Sequence, residues 1–293
     1  MGPAPFDPVR RRAFAATAIS VAVLILVGCA VRHRVRPPGD PDLGVTVRWW
    51  GHSCFSFQDS VGRVLLVDPF DTTVGFDTPR VKPDAVLITH DHFDHNALPK
   101  PVTPASGVPQ TEPGADRRDA SPSTASQGPS FPFAVVRSEG ITTAAGVEVT
   151  GVSADHDSEG GRRHGLTRLY VWTMAGLRFA HLGDIGQGAL RPDQVAALAG
   201  VDVLFVPVGG RTTVDGVAAA AMVRALQPRV VVPMHYGTPR TRFFEFDPLD
   251  QFLSGFDKVV LLPPGGFSVR QADLPAETTV YVPALPTEGG KTE

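Results

Sequence analysis

His90-Asp91-His92-Phe93-Asp94-His95 puts three imidazoles and two carboxylates into six consecutive residues. Neutral ring nitrogens and carboxylate oxygens are the donors that a borderline divalent ion such as zinc accepts. The run follows Ala85-Val86-Leu87-Ile88-Thr89, an apolar stretch that reads as a buried strand. Three later segments share this form, an apolar run ending in a ligand-type residue. Val147–Val152 leads through Ser153-Ala154-Asp155 to His156, Leu177–Gly183 leads to Asp184, and Val230–Met234 leads to His235. Sites in layered α/β sheets gather outside strand ends, where loops converge. Alone, His235 would read as a core or surface histidine. Within the repeated pattern it reads as part of a metal site.

The elements that must position these residues fall into two groups. Short strands are expected at Val45–Trp50, Cys54–Gln58, Val64–Val67 and Ala85–Thr89, then at Phe133–Arg137, Val147–Val152, Arg168–Thr173 and Leu177–His181. After these, helices alternate with strands. Pro192 and Gly200 bracket a helix over Asp193–Ala199, Asp215 suits the N-cap of a helix through Leu226, and Asp247-Pro248 opens a third through Phe252. Strands intervene at Val201–Val208 and Arg229–Met234, with late ones at Val259–Leu262 and Thr279–Val282. Strands first and alternation later predict an α/β fold with two sheets between helical layers.

The chain has 293 residues, 42% of them hydrophobic, which is ample for a core. Its net charge of −3 argues against a dedicated nucleic-acid binder. Arg10-Arg11-Arg12 precedes an apolar run from Ala13 to Val27, the pattern of a secretory signal. Two readings stay open there. Residues 1–29 form a cleaved signal, or Ala13–Val31 is an uncleaved anchor near the minimum length for a membrane span. Either places the protein at the cell envelope, on the outer side of the cytoplasmic membrane or in the periplasm. Residues 30–43, which include His33, read as a tether, 44–275 as the folded domain and 276–293 as a tail. Residues 99–132, dominated by Pro, Ser, Thr, Ala and Gly, read as a disordered insertion. No disulfide framework is expected from two cysteines, and Cys54 reads as a buried inert thiol. Nothing specifies an oligomeric state.

His90, His92, Asp94 and His95 spell His-x-His-x-Asp-His, and with His156, Asp184 and His235 following in order, residues 45–270 resemble the metallo-β-lactamase superfamily. Trp50-Gly51-His52-Ser53, Asp68-Pro69-Phe70, His181-Leu182-Gly183-Asp184 and Pro233-Met234-His235-Tyr236-Gly237-Thr238 resemble its ascorbate-6-phosphate lactonase-like branch. Leu26-Val27-Gly28-Cys29 resembles a lipoprotein signal box, which implies cleavage before Cys29 and lipid on its sulfur. Arg11-Arg12-Ala13-Phe14 resembles a twin-arginine export signal, against ordinary secretion as the alternative.

The superfamily resemblance implies a four-layer αββα sandwich holding two divalent metal ions, zinc or alternatively manganese. By it, His90, His92 and His156 bind one ion, Asp94, His95 and His235 the other, and Asp184 bridges them. A metal-bound hydroxide would cleave an ester, lactone or phosphodiester in a small or lipid-like substrate, with Asp94 as a catalytic residue orienting the nucleophile or carrying its proton. His52 is expected near the metals in a catalytic or supporting role, Asp68 behind a ligating histidine, and His181 in a structural or supporting role. A non-catalytic metal-binding membrane lipoprotein is the alternative function. In Asp157-Ser158-Glu159-Gly160-Gly161-Arg162-Arg163-His164-Gly165 the glycines permit a mobile loop, and the arginines either bind a substrate anion or form a solvated basic turn.

Overall fold

A computed structural model describes Gly2 and residues 44–98, 131–242 and 244–287. The signal, lipobox, tether and most of the 99–132 insertion lie outside the described residues. Among those described, no helix is long and apolar enough to cross a membrane.

Fourteen described strands form two sheets. In the first, β1 (Gly44–Gly51), β2 (Cys54–Asp59) and β3 (Val64–Val67) run antiparallel, and β4 (Ala85–Leu87) and β5 (Ala134–Val136) continue parallel to β3. The second begins with an antiparallel meander of β6 (Gly140–Ala144), β7 (Val147–Asp155), β8 (Leu166–Met174) and β9 (Leu177–His181). It then turns parallel through β10 (Val203–Pro207) and β11 (Val230–Met234). The helices α1 (Pro192–Leu198) and α2 (Gly216–Leu226) make those crossovers. A last turn of helix, α3 (Asp250–Leu253), packs on α2. β12 (Val259–Leu261) sits at the edge of the second sheet, β13 (Phe267–Arg270) pairs with β1, and β14 (Thr279–Val282) lies between β11 and β12.

Strand alternation explains the layers. Val45, Val47, Phe55, Phe57, Leu65, Val67 and Leu87 point into the space between the sheets. There Phe57 meets Trp172 and Phe205 edge-on, with ring centroids 4.8 and 5.2 Å apart. The alternate residues Cys54, Leu66, Val86 and Ile88 face outward and are covered by Phe70, Val74 and Phe76 from the loop after β3. The expected α/β sandwich is therefore present. Among the described residues, loop and a 3-10 turn at Thr72–Val74, not an α-helix, cover this outer face.

Four sequence expectations need correction. β14 is inside the second sheet, so residues 276–293 are not a tail throughout; the fold runs to Val282 at least. The helix expected from Asp247 shrinks to Asp250–Leu253, because Asp247 N–H binds Gly209 O and its carbonyl accepts from Gly237 N–H. β6 and β13 were not expected. β6 is an exposed edge strand without apolar alternation, and β13 is only four residues long after Gly265-Gly266.

Candidate metal centre

Five chain segments bring their ligand-type residues to one end of the sandwich. His90–His95 follow β4, His156 follows β7, Asp184 follows β9, His235 follows β11, and His52 lies in the β1–β2 turn. The two sheets are tied together beside them. Tyr170 on β8 donates its hydroxyl to Ile88 O at 2.9 Å, and Arg168 N–H binds Thr89 O at 3.0 Å.

Every expected ligand reaches the centre. Ring nitrogens of His90, His92 and His156 lie within 4.8 Å of one another, as do donor atoms of Asp94, His95 and His235. Asp184 Oδ2 stands between the two sets, 3.1 Å from His95 Nε2, 3.1 Å from His235 Nε2, 3.5 Å from His156 Nε2 and 3.9 Å from His90 Nε2. All are buried except His92.

The surrounding hydrogen bonds decide which way the imidazoles face. Asp68 accepts Thr89 N–H at 2.8 Å, Thr89 Oγ1–H at 2.7 Å and His95 Nδ1–H at 2.9 Å. With its proton on Asp68, the Thr89 hydroxyl can only accept from His90 Nδ1, 3.0 Å away. His156 Nδ1–H donates to Thr212 O at 2.9 Å. In neutral rings this leaves the Nε2 lone pairs of His90 and His156 facing each other at 3.2 Å. Two facing lone pairs repel unless a cation lies between them. Two donors on one tetrahedral zinc, with bonds of roughly 2.0–2.1 Å, are about 3.3 Å apart. Asp184 Oδ1 and His235 Nδ1 are also buried without a hydrogen-bond partner. The donor set thus fits divalent metal ions. His181 does not join it. Its Nε2 donates to Ser53 O at 2.9 Å and its Nδ1 accepts Gly183 N–H at 3.1 Å, so both nitrogens are committed.

Electrostatics follow from burial and neighbours. Burial alone would raise the Asp184 carboxyl, but His235 and His95 hold it well below the ordinary range. Burial likewise opposes the shift at Asp94, which the His52 hydrogen bond and the His95 charge bring down. His90, His156 and His181 are pushed down chiefly by burial, and His52 falls to about 4 through burial and the adjacent His235. His95 goes up despite its burial, because Asp184 and Asp68 flank it.

His52, Asp68 and His235 adopt left-handed backbone, with φ of 51°, 47° and 54°. For non-glycine residues this costs on the order of 1 kcal/mol each. It aims each side chain sharply off its strand end. His52 Nε2 then lies 3.2 Å from Asp94 Oδ2.

The loop after His156 is built rather than loose. Asp157 accepts the backbone N–H of Glu159 and Gly161 on one oxygen and of Arg163 and His164 on the other, all at 2.7–2.9 Å. It holds Arg162 and Arg163 out in solvent, 3.9 and 3.7 Å from Glu159. Sequence reasoning missed Thr89, Thr212, His164 and Phe246. Phe246 packs its ring 4.5 Å from that of His235, and His164 lies 5.6 Å from His156. The ligand residue types gave a signal; a threonine or phenylalanine at these places gives none.

A β-lactamase superfamily domain matches residues 46–235. A UPF0173 protein of Pyrococcus furiosus is 31% identical over 209 residues, 68% of this chain and 85% of that one. A UPF0173 metal-dependent hydrolase of Nitratidesulfovibrio vulgaris is 33% identical over 207 residues, 66% of this chain and 80% of that one. A crystal structure from Thermotoga maritima, described as a Zn-dependent hydrolase of the metallo-β-lactamase superfamily, superposes with a TM-score of 0.59. It is 27% identical and covers 82% of this chain and 99% of its own.

Proposed function

We propose a reaction from one premise: this chain belongs to the metallo-β-lactamase superfamily and is a metal-dependent hydrolase. The reaction is hydrolysis of an ester, lactone or phosphodiester at a pair of divalent ions, zinc or manganese. His90, His92 and His156 would hold one ion, Asp94, His95 and His235 the other, with Asp184 shared. When bound, the ions would supply a water acidified towards neutral pH as nucleophile and positive charge for the oxyanion that develops. The observation that carries this reading is the opposed Nε2 pair of His90 and His156, each with its Nδ1 already committed.

The protein's own groups do the positioning. Asp68 orients His95 directly and His90 through Thr89, so neither ring needs to reorganise. Asp94, whose Oδ2 lies 3.2 Å from His52 Nε2, would take and return the proton of the attacking water. Phe246 packs its ring against that of His235. The Trp50–Ser53 and Pro233–Thr238 words support a lactone or phosphodiester over a β-lactam. Lipid at Cys29, or an uncleaved anchor, would hold the enzyme at the cell envelope beside small or lipid-like substrates, with no nucleic acid as partner.

The test is a panel of carboxylate esters, lactones and phosphodiesters, with and without chelator. Turnover should vanish on chelation and return with zinc or manganese. Within the panel, Arg162→Ala combined with Arg163→Ala should raise KM for anionic substrates several-fold and spare neutral ones. Chelator-resistant turnover would contradict the metal role, and a charge-independent effect would remove the arginines from substrate binding.

A further inference from the structure

We propose that His52 is a side-chain ligand, the fourth beside Asp94, His95 and His235, of the second ion in the two-ion reading on which this inference rests. A donor atom from each of the four residues lies within 4.8 Å of the others. His52 Nε2 stands 3.2 Å from Asp94 Oδ2, the same separation as between the paired nitrogens of His90 and His156. That separation suits two neighbouring donors on one ion at bond lengths of roughly 2.0–2.2 Å. The His52 ring centroid is 4.2 Å from that of His235 and 5.0 Å from that of His95.

Its backbone supports this role. Gly51, at φ 115°, makes the turn that only glycine takes easily, and a Cβ there would press into the Phe76 ring. His52 follows in the left-handed region, like the ligand His235. The two are joined directly, since His52 O accepts His235 N–H at 3.3 Å, and it also accepts Trp49 Nε1–H at 3.0 Å. The residue is pinned to the backbone of another ligand, buried, with its ring nitrogen facing three donors. Four side chains plus the shared Asp184 would leave the second ion few open positions. The ion of His90, His92 and His156 would keep more room, so substrate would enter on that side.

The alternative is a hydrogen-bond donor that only steadies Asp94. His52→Ala and His52→Gln separate the two roles, because glutamine offers an N–H near the place of Nε2–H but no imidazole nitrogen. Metal content, chelator competition and cobalt(II) visible absorption are measured on the full chain, with circular dichroism of each apoprotein to show that it folds. The ligand role predicts that both variants lose more than about 100-fold affinity for one ion of two, beyond the roughly 10–100-fold typical of removing an outer partner. The cobalt absorption of that site should change as well. A folded His52→Gln protein with two ions and the native cobalt spectrum would overturn the ligand role alone. Native protein that binds one ion would overturn the two-ion reading and this inference with it.

Discussion

At the scale of residues, burial holds His52, His90 and His156 towards the neutral form, while neighbouring groups keep the buried Asp94 and Asp184 ionised. This balance has a cost in acid. In the unfolded chain each histidine takes up a proton near pH 6.5. In the fold His52 resists protonation until about pH 4, and His90, His156 and His181 are also shifted down, mainly by burial. Between these limits the unfolded chain binds more protons than the native one, so stability falls as pH falls. His95 runs the other way, since its raised value contributes stability that is fully present below pH 6.5 and fades as pH rises. Below pH 6.5 the His95 contribution is constant, so the lowered imidazoles set the slope there. Denaturant unfolding of apoprotein should therefore show stability dropping from pH 6.5 towards pH 4. A flat or rising profile there would mean that these imidazoles are not buried neutral. The metal-binding types were legible in the sequence because histidine and aspartate are scarce at apolar strand ends. Their orientation was not. It depends on Thr89 and Thr212, whose hydroxyl and carbonyl carry no sequence signature.

At the scale of elements, the ligands stand on segments that follow strand ends, and left-handed backbone makes the turn at His52 and His235. β3, β9 and β11 were legible at or within one residue of their ends because their buried positions are apolar apart from His181 at the end of β9. β6 and β13 were hidden because an edge strand with one exposed face can be polar or short. The β1–β2 turn is the most constrained stop, with Gly51 packed on Phe76 and His52 in the left-handed region immediately after it. Gly51→Ala should lower stability by about 1–3 kcal/mol, from overpacking and backbone strain together. It should also loosen metal binding by displacing His52. Thermal melts and chelator competition on the same preparation check this. A variant as stable as the native protein, with native metal affinity, would show that the turn does not hold the centre.

At the scale of the whole molecule, the described residues other than Gly2 lie in one unit, Arg36–Glu293, and the centre sits at one end of its sandwich. The order of strands followed by strand-helix alternation made this architecture readable, since each element's apolar face must find a layer to cover it. What the sequence did not reveal is that a loop rather than an α-helix covers the described outer face of the first sheet. Loop residues such as Phe70 and Phe76 carry no periodicity that would assign them to a layer. The envelope reading adds a property outside that unit. In its host, mature protein should begin at Cys29 and partition with lipid, and Cys29→Ser should accumulate as uncleaved precursor. Mass spectrometry of an intact N-terminus with an unmodified Cys29 would instead favour the uncleaved anchor.

The central claim is that Asp184 is shared by two metal ions, and elemental analysis tests it most directly. Metal-loaded native protein should contain close to two zinc or manganese ions per chain, as many as the two sets of ligands provide. Asp184→Ala should lose most of the second ion and nearly all turnover while keeping the native circular dichroism. A folded Asp184→Ala protein with two ions and native activity would contradict the account.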